Sequence, residues 1–167
     1  MFAFGAMRAV VEVDLDLGLV RVVQLGGVQD VGKALNPRGV EGQIEGGAAQ
    51  GLGLALLEEI QLRDGKIANA SFTDYLLPTI LDMPPVVSAV VEEPEPGSPY
   101  GAKGVGEGAT IVATAAVAAA LRNATGRELN RVPVAPDDLV GISGPRTSAG
   151  PAPIPDVPGP RPVFEYR

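Results

Sequence analysis

The chain has 167 residues, of which 46% are hydrophobic, so it is long enough to build one domain around a sizeable core. Its net charge is −7 and only 4% of its residues are aromatic, and because no basic cluster with interleaved aromatic residues occurs, we discount nucleic-acid binding. It contains no cysteine and no histidine, which excludes disulfides, thiolate nucleophiles, imidazole bases and nearly every type of zinc site. No apolar run is long enough to span a membrane and no signal-peptide pattern opens the chain, so we expect a cytoplasmic protein.

The first part of the chain predicts a β-hairpin followed by a helix rich in glycine. Residues 9–13 and 19–25 alternate apolar with polar side chains on either side of a turn. Asn36-Pro37 then ends a loop, and apolar residues recur every four positions along a predicted helix at residues 38–57. The glycines inside this helix each cost about 1 kcal/mol relative to alanine. The helix therefore requires very close packing against a neighbour.

The second part predicts another hairpin, a strand and a second long helix. Asp64-Gly65 favours a turn between residues 59–63 and 66–70, and residues 86–92 are typical of a strand. An alanine-rich helix is predicted at residues 109–122, with Gly126 as its terminator, and a short element at residues 136–139. Residues 144–167 are rich in proline with little to bury, so we expect a disordered tail after a folded domain at residues 1–143.

Residues 103–107 form the first candidate site. Glycines and the single carboxylate of Glu107 stand at the start of an apolar helix, where exposed N–H groups can hold an anion and Lys103 can neutralise part of its charge. The alternative is a simple turn in which Glu107 stabilises the helix dipole. Local pattern alone favours that alternative.

The second candidate site is a face of the first helix that carries Gln43, Gly46, Gly47 and Gln50, which recur at intervals of three and four. Amides and bare backbone suit a flat heterocycle or a phosphate, but they suit tight helix packing equally well. Neither candidate site has the glycine order of a P-loop or of the dinucleotide-binding fingerprint. The carboxylate pairs at 58–59, 92–93 and 137–138 are interpreted as solvated charge, and Tyr75 and Tyr100 as packing or loop anchors.

Taken in order, these segments resemble the second molybdenum domain of molybdenum hydroxylase large subunits, the xanthine, aldehyde and carbon monoxide dehydrogenase group. The resemblance runs from about residue 4 to residue 142 and corresponds to the C-terminal part of that subunit. The matching motifs are Phe4-Gly5-Ala6, Glu12-Val13-Asp14, Asp30-Val31-Gly32, Asn36-Pro37, Glu41-Gly42-Gln43, Gly46-Gly47, Gln50-Gly51-Leu52-Gly53, Asp74-Tyr75, Asp82-Met83-Pro84 and Lys103-Gly104-Val105-Gly106-Glu107-Gly108. Because so many motifs match in the same order, we now favour ligand binding over a simple turn at residues 103–107 and over helix packing alone on the face with Gln43.

The resemblance implies an α+β fold in which a β-hairpin and mixed strands pack against two long helices, as the second half of a molybdenum-cofactor-binding domain. It implies molybdopterin as the cofactor, either plain or as its cytosine dinucleotide. Glu107 would then be the general base and Gln43 would contact the pterin. The other residues implied to line the cofactor are Asp30, Asn36, Lys103, Gly104, Val105 and Gly106.

The activity implied by the resemblance is oxidation of an aldehyde, an N-heterocycle or carbon monoxide, with water as the oxygen source. The implied partners are the remaining part of the large subunit and further subunits that carry FAD and [2Fe-2S] clusters, together with a small-molecule substrate. Because the family's subunit is several times longer, we expect the isolated chain to be inactive and to associate through an uncovered apolar interface. The alternative is a truncated, non-catalytic interaction or assembly module that retains the fold.

Overall fold

The computed structural model describes residues 2–140, so the expected domain boundary at residue 143 and the proline-rich tail lie outside the described residues. The strands are β1 (Gly5–Asp14), β2 (Leu19–Asp30), β3 (Leu62–Arg63), β4 (Lys66–Ile67) and β5 (Val86–Val91). The helices are α1 (Pro37–Leu56), α2 (Gly108–Thr125) and the short α3 (Pro136–Leu139), with a single 3-10 turn at Pro99–Gly101. The predicted α+β fold is confirmed.

The main sheet has three strands in the order β1-β2-β5. The predicted hairpin is confirmed: β1 and β2 pair antiparallel, and the Asp14 carboxylate accepts hydrogen bonds from the amides of Asp16 and Leu17 in the turn between them. β5 pairs parallel with β2, from Leu25 opposite Val86 to Asp30 opposite Val91. The carboxyl ends of β2 and β5 therefore meet at the same edge of the sheet.

Helix α1 begins where the sequence indicates, because Asn36 caps it. The side-chain oxygen of Asn36 accepts a 3.0 Å hydrogen bond from the amide of Gly39, and Pro37 occupies the first helical position, where its missing N–H costs nothing. The predicted apolar face is buried through residues Val40, Ile44, Ala48 and Leu52.

The close packing that the glycines of α1 require is provided by α2. A Cβ atom added at Gly47 would lie 2.7 Å from the Cβ of Ala109, and one added at Gly51 would lie 2.5 Å from the Cβ of Ala113. The hydroxyl of Thr114 donates to the carbonyl oxygen of Gly51 at 3.0 Å. The backbones of the two helices thus lie in contact, and glycine is required at both positions because any side chain would clash with α2.

Two apolar clusters form the core. The larger lies beneath the hairpin and contains residues Val22, Leu25, Ala48, Leu52, Ala55, Val117, Leu121, Val134 and Leu139. The smaller lies at the other end of the helices and contains Val31, Ala34, Val40, Ile44 and Ala109, with Val105 packed against it. Burial of a large aliphatic side chain contributes about 1.5–3 kcal/mol, so the smaller cluster anchors the loop before α2 to the helices.

The segment between α1 and β5, residues 57–85, is here called the arm. Its predicted hairpin forms, but β3 and β4 have two residues each, and residues 61–68 are all exposed. The Tyr75 hydroxyl donates a 2.8 Å hydrogen bond to Glu58. Tyr75 is therefore the loop anchor that the sequence predicted, whereas the interpretation of Glu58 as solvated charge was wrong.

The arm exposes many large apolar side chains: Ile60, Leu62, Ile67, Phe72, Leu76, Leu77, Ile80 and Leu81. Ile80 and Leu81 are 87% and 92% exposed, and so many exposed apolar side chains in one segment favour an interaction site. The expected association of the isolated chain stays a prediction. Within residues 2–140 no helix is both long enough and apolar enough to cross a membrane.

Candidate functional site

An open cleft of about 360 Å³ lies at the N-terminal end of α1, beside the loop that precedes α2. Three segments of the chain line it, through residues Val31, Lys33, Leu35, Asn36, Gly39, Val40, Gln43, Ala102, Lys103 and Val105. Asn36, Gln43, Lys103 and Val105, which the sequence singled out from two distant segments, therefore lie around one space. Another cleft, of about 390 Å³, lies between the start of β2 and residues 81–85 and contains none of the candidate residues.

The helix face proposed for ligand binding divides into two parts. Gln50 faces α2, where its side-chain oxygen accepts a 3.2 Å hydrogen bond from the hydroxyl of Thr110, and Gly47 is buried at the same contact. Gln43 is exposed and makes no side-chain hydrogen bond to any of residues 2–140. Helix packing thus explains Gly47 and Gln50, while Gln43 remains free to meet another molecule.

Four exposed glycines on α1 and in the loop before α2 have no packing neighbour that would exclude a side chain. A Cβ atom added at Gly42, Gly46, Gly104 or Gly106 would meet nothing within 4 Å. An exposed glycine inside a helix costs about 1 kcal/mol relative to alanine, and packing inside the described residues does not offset this cost for Gly42 or Gly46. These positions leave main-chain atoms open to a close approach from outside the chain.

The charged groups of Asp30 and Lys103 contact each other, although Lys103 also lines the cleft. The Lys103 ammonium lies 2.6 Å from the Asp30 carboxylate, and the two side chains are only 6% and 9% exposed. The other carboxylate oxygen of Asp30 accepts a 3.0 Å hydrogen bond from the amide of Gly32. The hydrogen bond from Lys103, together with that from Gly32, holds the pKa of Asp30 below its ordinary value. Neither charge is directed at a molecule in the cleft.

Backbone hydrogen bonds join the same two segments. The amide of Lys103 donates to the carbonyl oxygen of Val31, and the amide of Lys33 donates to that of Gly101, both at 2.9 Å. Gly32 lies between them with a φ of 64°, and a Cβ atom there would lie 2.9 Å from Cγ of Lys103. Glycine is required at this position because both the left-handed backbone and the lysine stem exclude a side chain.

Glu107 stands at the N-cap position of α2 and is exposed. Its side chain does not cap the helix, and it makes no hydrogen bond to any other described residue. Gly104 and Gly106 are exposed beside it, and the half-buried Val105 is the loop's contact with the smaller apolar cluster. The carboxylate of Glu107 is therefore available to a molecule outside this chain.

Sequence reasoning missed two residues at this edge of the sheet. Glu92 is exposed, as a solvated charge would be, but it also accepts a 2.8 Å hydrogen bond from the amide of Ala34 and pairs with Lys33 at 3.1 Å. Its position directly after β5 was a usable signal, because the ends of parallel strands meet. Gln29 is only 3% exposed, and its amide lies against Gly108 at the start of α2. β2 also carries Arg21, Gln24 and Asp30, so nothing in the pattern of the strand distinguished Gln29.

We expect the stability of the chain to fall as the pH drops below about 4. Hydrogen bonds from Lys103 to Asp30, from the amide of Thr79 to Asp82 and from the amide of Ala34 to Glu92 lower the pKa of each carboxyl group. A lowered folded-state pKa contributes stability that is complete above the unfolded-state value and is lost as the pH falls through the folded-state value. Thermal unfolding measured from neutral pH to about pH 2.5 tests this. Glu92→Gln should flatten the decline, and a decline parallel to that of the wild type would contradict the assignment.

Comparisons with known proteins show which family the chain is similar to. The sequence model of the family described as "Molybdopterin cofactor-binding domain" matches residues 1–84, which is half of the chain. The xanthine dehydrogenase molybdenum-binding subunit of Escherichia coli O157:H7 is 40% identical over 139 residues, which cover 82% of this chain and 18% of that relative.

Solved structures show the same likeness. The CO dehydrogenase from Oligotropha carboxidovorans superimposes with a TM-score of 0.75 at 28% identity, over 82% of this chain and 18% of that one. The aldehyde oxidoreductase from Desulfovibrio gigas gives a TM-score of 0.75 at 34% identity, over 82% of this chain and 15% of that one. The chain thus spans less than a fifth of the length of each of these proteins.

Proposed function

The chain belongs to the molybdopterin cofactor-binding domain family of the molybdenum hydroxylases, and from this premise we propose that it supplies the Glu107 side of a molybdopterin site in a larger oxidoreductase. Its relatives are molybdenum enzymes of the xanthine, carbon monoxide and aldehyde types. The observation that carries the proposal is the cleft itself, which gathers Asn36, Gln43, Lys103 and Val105 next to the loop that ends at Glu107.

The residues around the cleft fit a pterin. A pterin is flat and carries donors and acceptors on its edge, and the free amide of Gln43 can both donate and accept. The open backbone at Gly104 and Gly106 offers N–H groups to the phosphate of molybdopterin. Within residues 2–140 no cluster of His, Cys, Asp or Glu side chains is arranged to hold a metal ion. We therefore assign these residues to the organic part of the cofactor.

When bound, the molybdenum cofactor supplies the oxidising capacity for inserting an oxygen atom from water into an aldehyde, an N-heterocycle or carbon monoxide. In this proposal Gln43 and Asn36 orient the pterin, while Val105 and Leu35 line the cleft with apolar surface. The Glu107 carboxylate, as general base, takes up the proton released in the reaction. FAD and [2Fe-2S] groups on partner subunits would accept the electrons.

A second candidate function is favoured by the arm. Its exposed apolar residues are suited to binding another protein surface, and they would serve a non-catalytic assembly module equally well. The two functions differ in one measurable respect, because only the first requires molybdopterin to be retained with the chain.

The test is purification of the tagged chain from its native host, followed by measurement of molybdenum, pterin and oxidation of aldehydes, purines and carbon monoxide. Gln43→Ala should lower the pterin content of the complex several-fold, whereas Gln50→Ala, seven residues along the same helix and facing α2, should retain it. A complex with partner subunits but no molybdenum or pterin would overturn the enzyme proposal and leave the assembly module.

A further inference from the structure

We propose that Asp30 and Lys103 are positioning residues, whose ion pair fixes the start of the loop at residues 104–106 and thereby holds Glu107 beside the cleft. The inference rests on the proposed function of Glu107 as a base. It assigns both side chains a role away from the cofactor, because each presents its charge to the other.

The ion pair joins the loop to the end of β2, next to the backbone hydrogen bonds between the same two segments. One oxygen of Asp30 accepts from the amide of Gly32 and the other from the ammonium of Lys103, so one carboxylate holds the end of β2 and the start of the loop together. The lysine stem passes over Gly32, where a Cβ atom would collide with it. The contact is available only because glycine occupies that position.

The loop beyond Lys103 has few other restraints. Of its three residues, Gly104 and Gly106 are exposed, and a Cβ atom added at either would meet nothing within 4 Å, whereas Val105 packs against the smaller apolar cluster. Glycine leaves the backbone many accessible conformations, so the position of Glu107 depends on Val105 and on the anchors at the two ends of the loop. One anchor is α2 and the other is Lys103.

A buried ion pair contributes little net stability. Removing two charges from water offsets most of their attraction, and replacing such a pair by uncharged residues is often neutral or stabilising, whereas removing one partner leaves an unpaired charge and is destabilising. The pair does fix the orientation of Lys103 relative to Asp30, because a charged hydrogen bond holds its partners in one geometry. Stability and positioning can therefore be separated by experiment.

The experiment compares Asp30→Asn, Lys103→Met and the double variant. Each single variant should unfold at a lower temperature, and the double variant should regain most of that loss because no unpaired charge remains. In the full chain carrying both substitutions, the amide protons of Lys33 and Lys103 should exchange about tenfold faster than in the wild type, while those of α1 exchange at the same rate. Unchanged exchange at Lys33 and Lys103 would overturn the proposal.

The same double variant in the assembled enzyme should retain its molybdenum and pterin and keep its KM within about twofold, while kcat falls about 10–100-fold, as expected for a displaced catalytic group. If kcat recovers together with thermal stability, the pair is merely structural. If pterin is lost instead, the pair binds the cofactor; either result rejects positioning. A wild-type complex without molybdopterin would reject the proposed function, whereas the exchange measurement would still decide whether the pair holds the loop.

Discussion

Substitution of Glu107 by glutamine is expected to lower kcat of the assembled enzyme by about 10²–10⁴-fold, the range for removal of a general base. Glutamine has nearly the same shape as glutamate but cannot take up a proton. KM for the substrate should change little, because an effect confined to the transition state lowers kcat and kcat/KM together. Steady-state kinetics on the purified complex measures both quantities.

The structure makes this a clean substitution. Glu107 is exposed, and its side chain neither caps α2 nor makes a hydrogen bond to any of residues 2–140. The free energy of unfolding should therefore change by less than about 1 kcal/mol, the size of a helix-dipole effect. Molybdenum and pterin contents should remain at wild-type values.

Glu45→Gln is the matched control for this substitution, because Glu45 is also an exposed glutamate but lies on α1. Its turnover should equal that of the wild type. If Glu107→Gln retains turnover within a few-fold of the wild type, Glu107 is not the base. If it loses activity only in proportion to lost cofactor, it acts in binding instead.

Local chemistry explains why the secondary structure could be predicted. Asn36-Pro37 starts α1 through a cap between residues three apart, and Gly126 ends α2 in the left-handed conformation at a φ of 70°. The hairpin of β1 and β2 follows in the same way from alternation around a short turn. Each of these features depends on residues close together in the chain, which the sequence displays directly.

The candidate site could be predicted less completely, because its charges are paired over long distances in the chain. Lys103 meets Asp30 across 73 positions and Glu92 meets Ala34 across 58. Motif resemblance brought Asp30 and Lys103 to attention as cofactor residues but carried no information that they face each other. Likewise, helical spacing placed Gln43 and Gln50 on one face, and only the position of α2 separates their surroundings.

Replacing glycine by alanine in α1 is expected to change the free energy of unfolding in opposite directions at positions 51 and 46. Gly51→Ala should destabilise the chain by about 1–3 kcal/mol, the usual cost of overpacking. Its added methyl group would lie 2.5 Å from the Cβ of Ala113 and 2.7 Å from the carbonyl oxygen of Thr110. The backbone oxygen cannot move without shifting α2. Gly46→Ala meets nothing within 4 Å and should stabilise the chain by up to about 1 kcal/mol through its helix propensity.

Urea unfolding of the full chain measures both changes, and equal signs for the two variants would contradict the helix contact.

The variant Gly46→Ala also tests whether stability has been given up at this position for cofactor binding. A chain that functioned alone would gain from alanine at this exposed position, so retention of glycine there is explained if another molecule approaches the main chain. In the assembled enzyme we therefore expect Gly46→Ala to be at least as stable as the wild type yet to hold less pterin. A Gly46→Ala complex with full pterin content would show that the cofactor lies away from this face of α1.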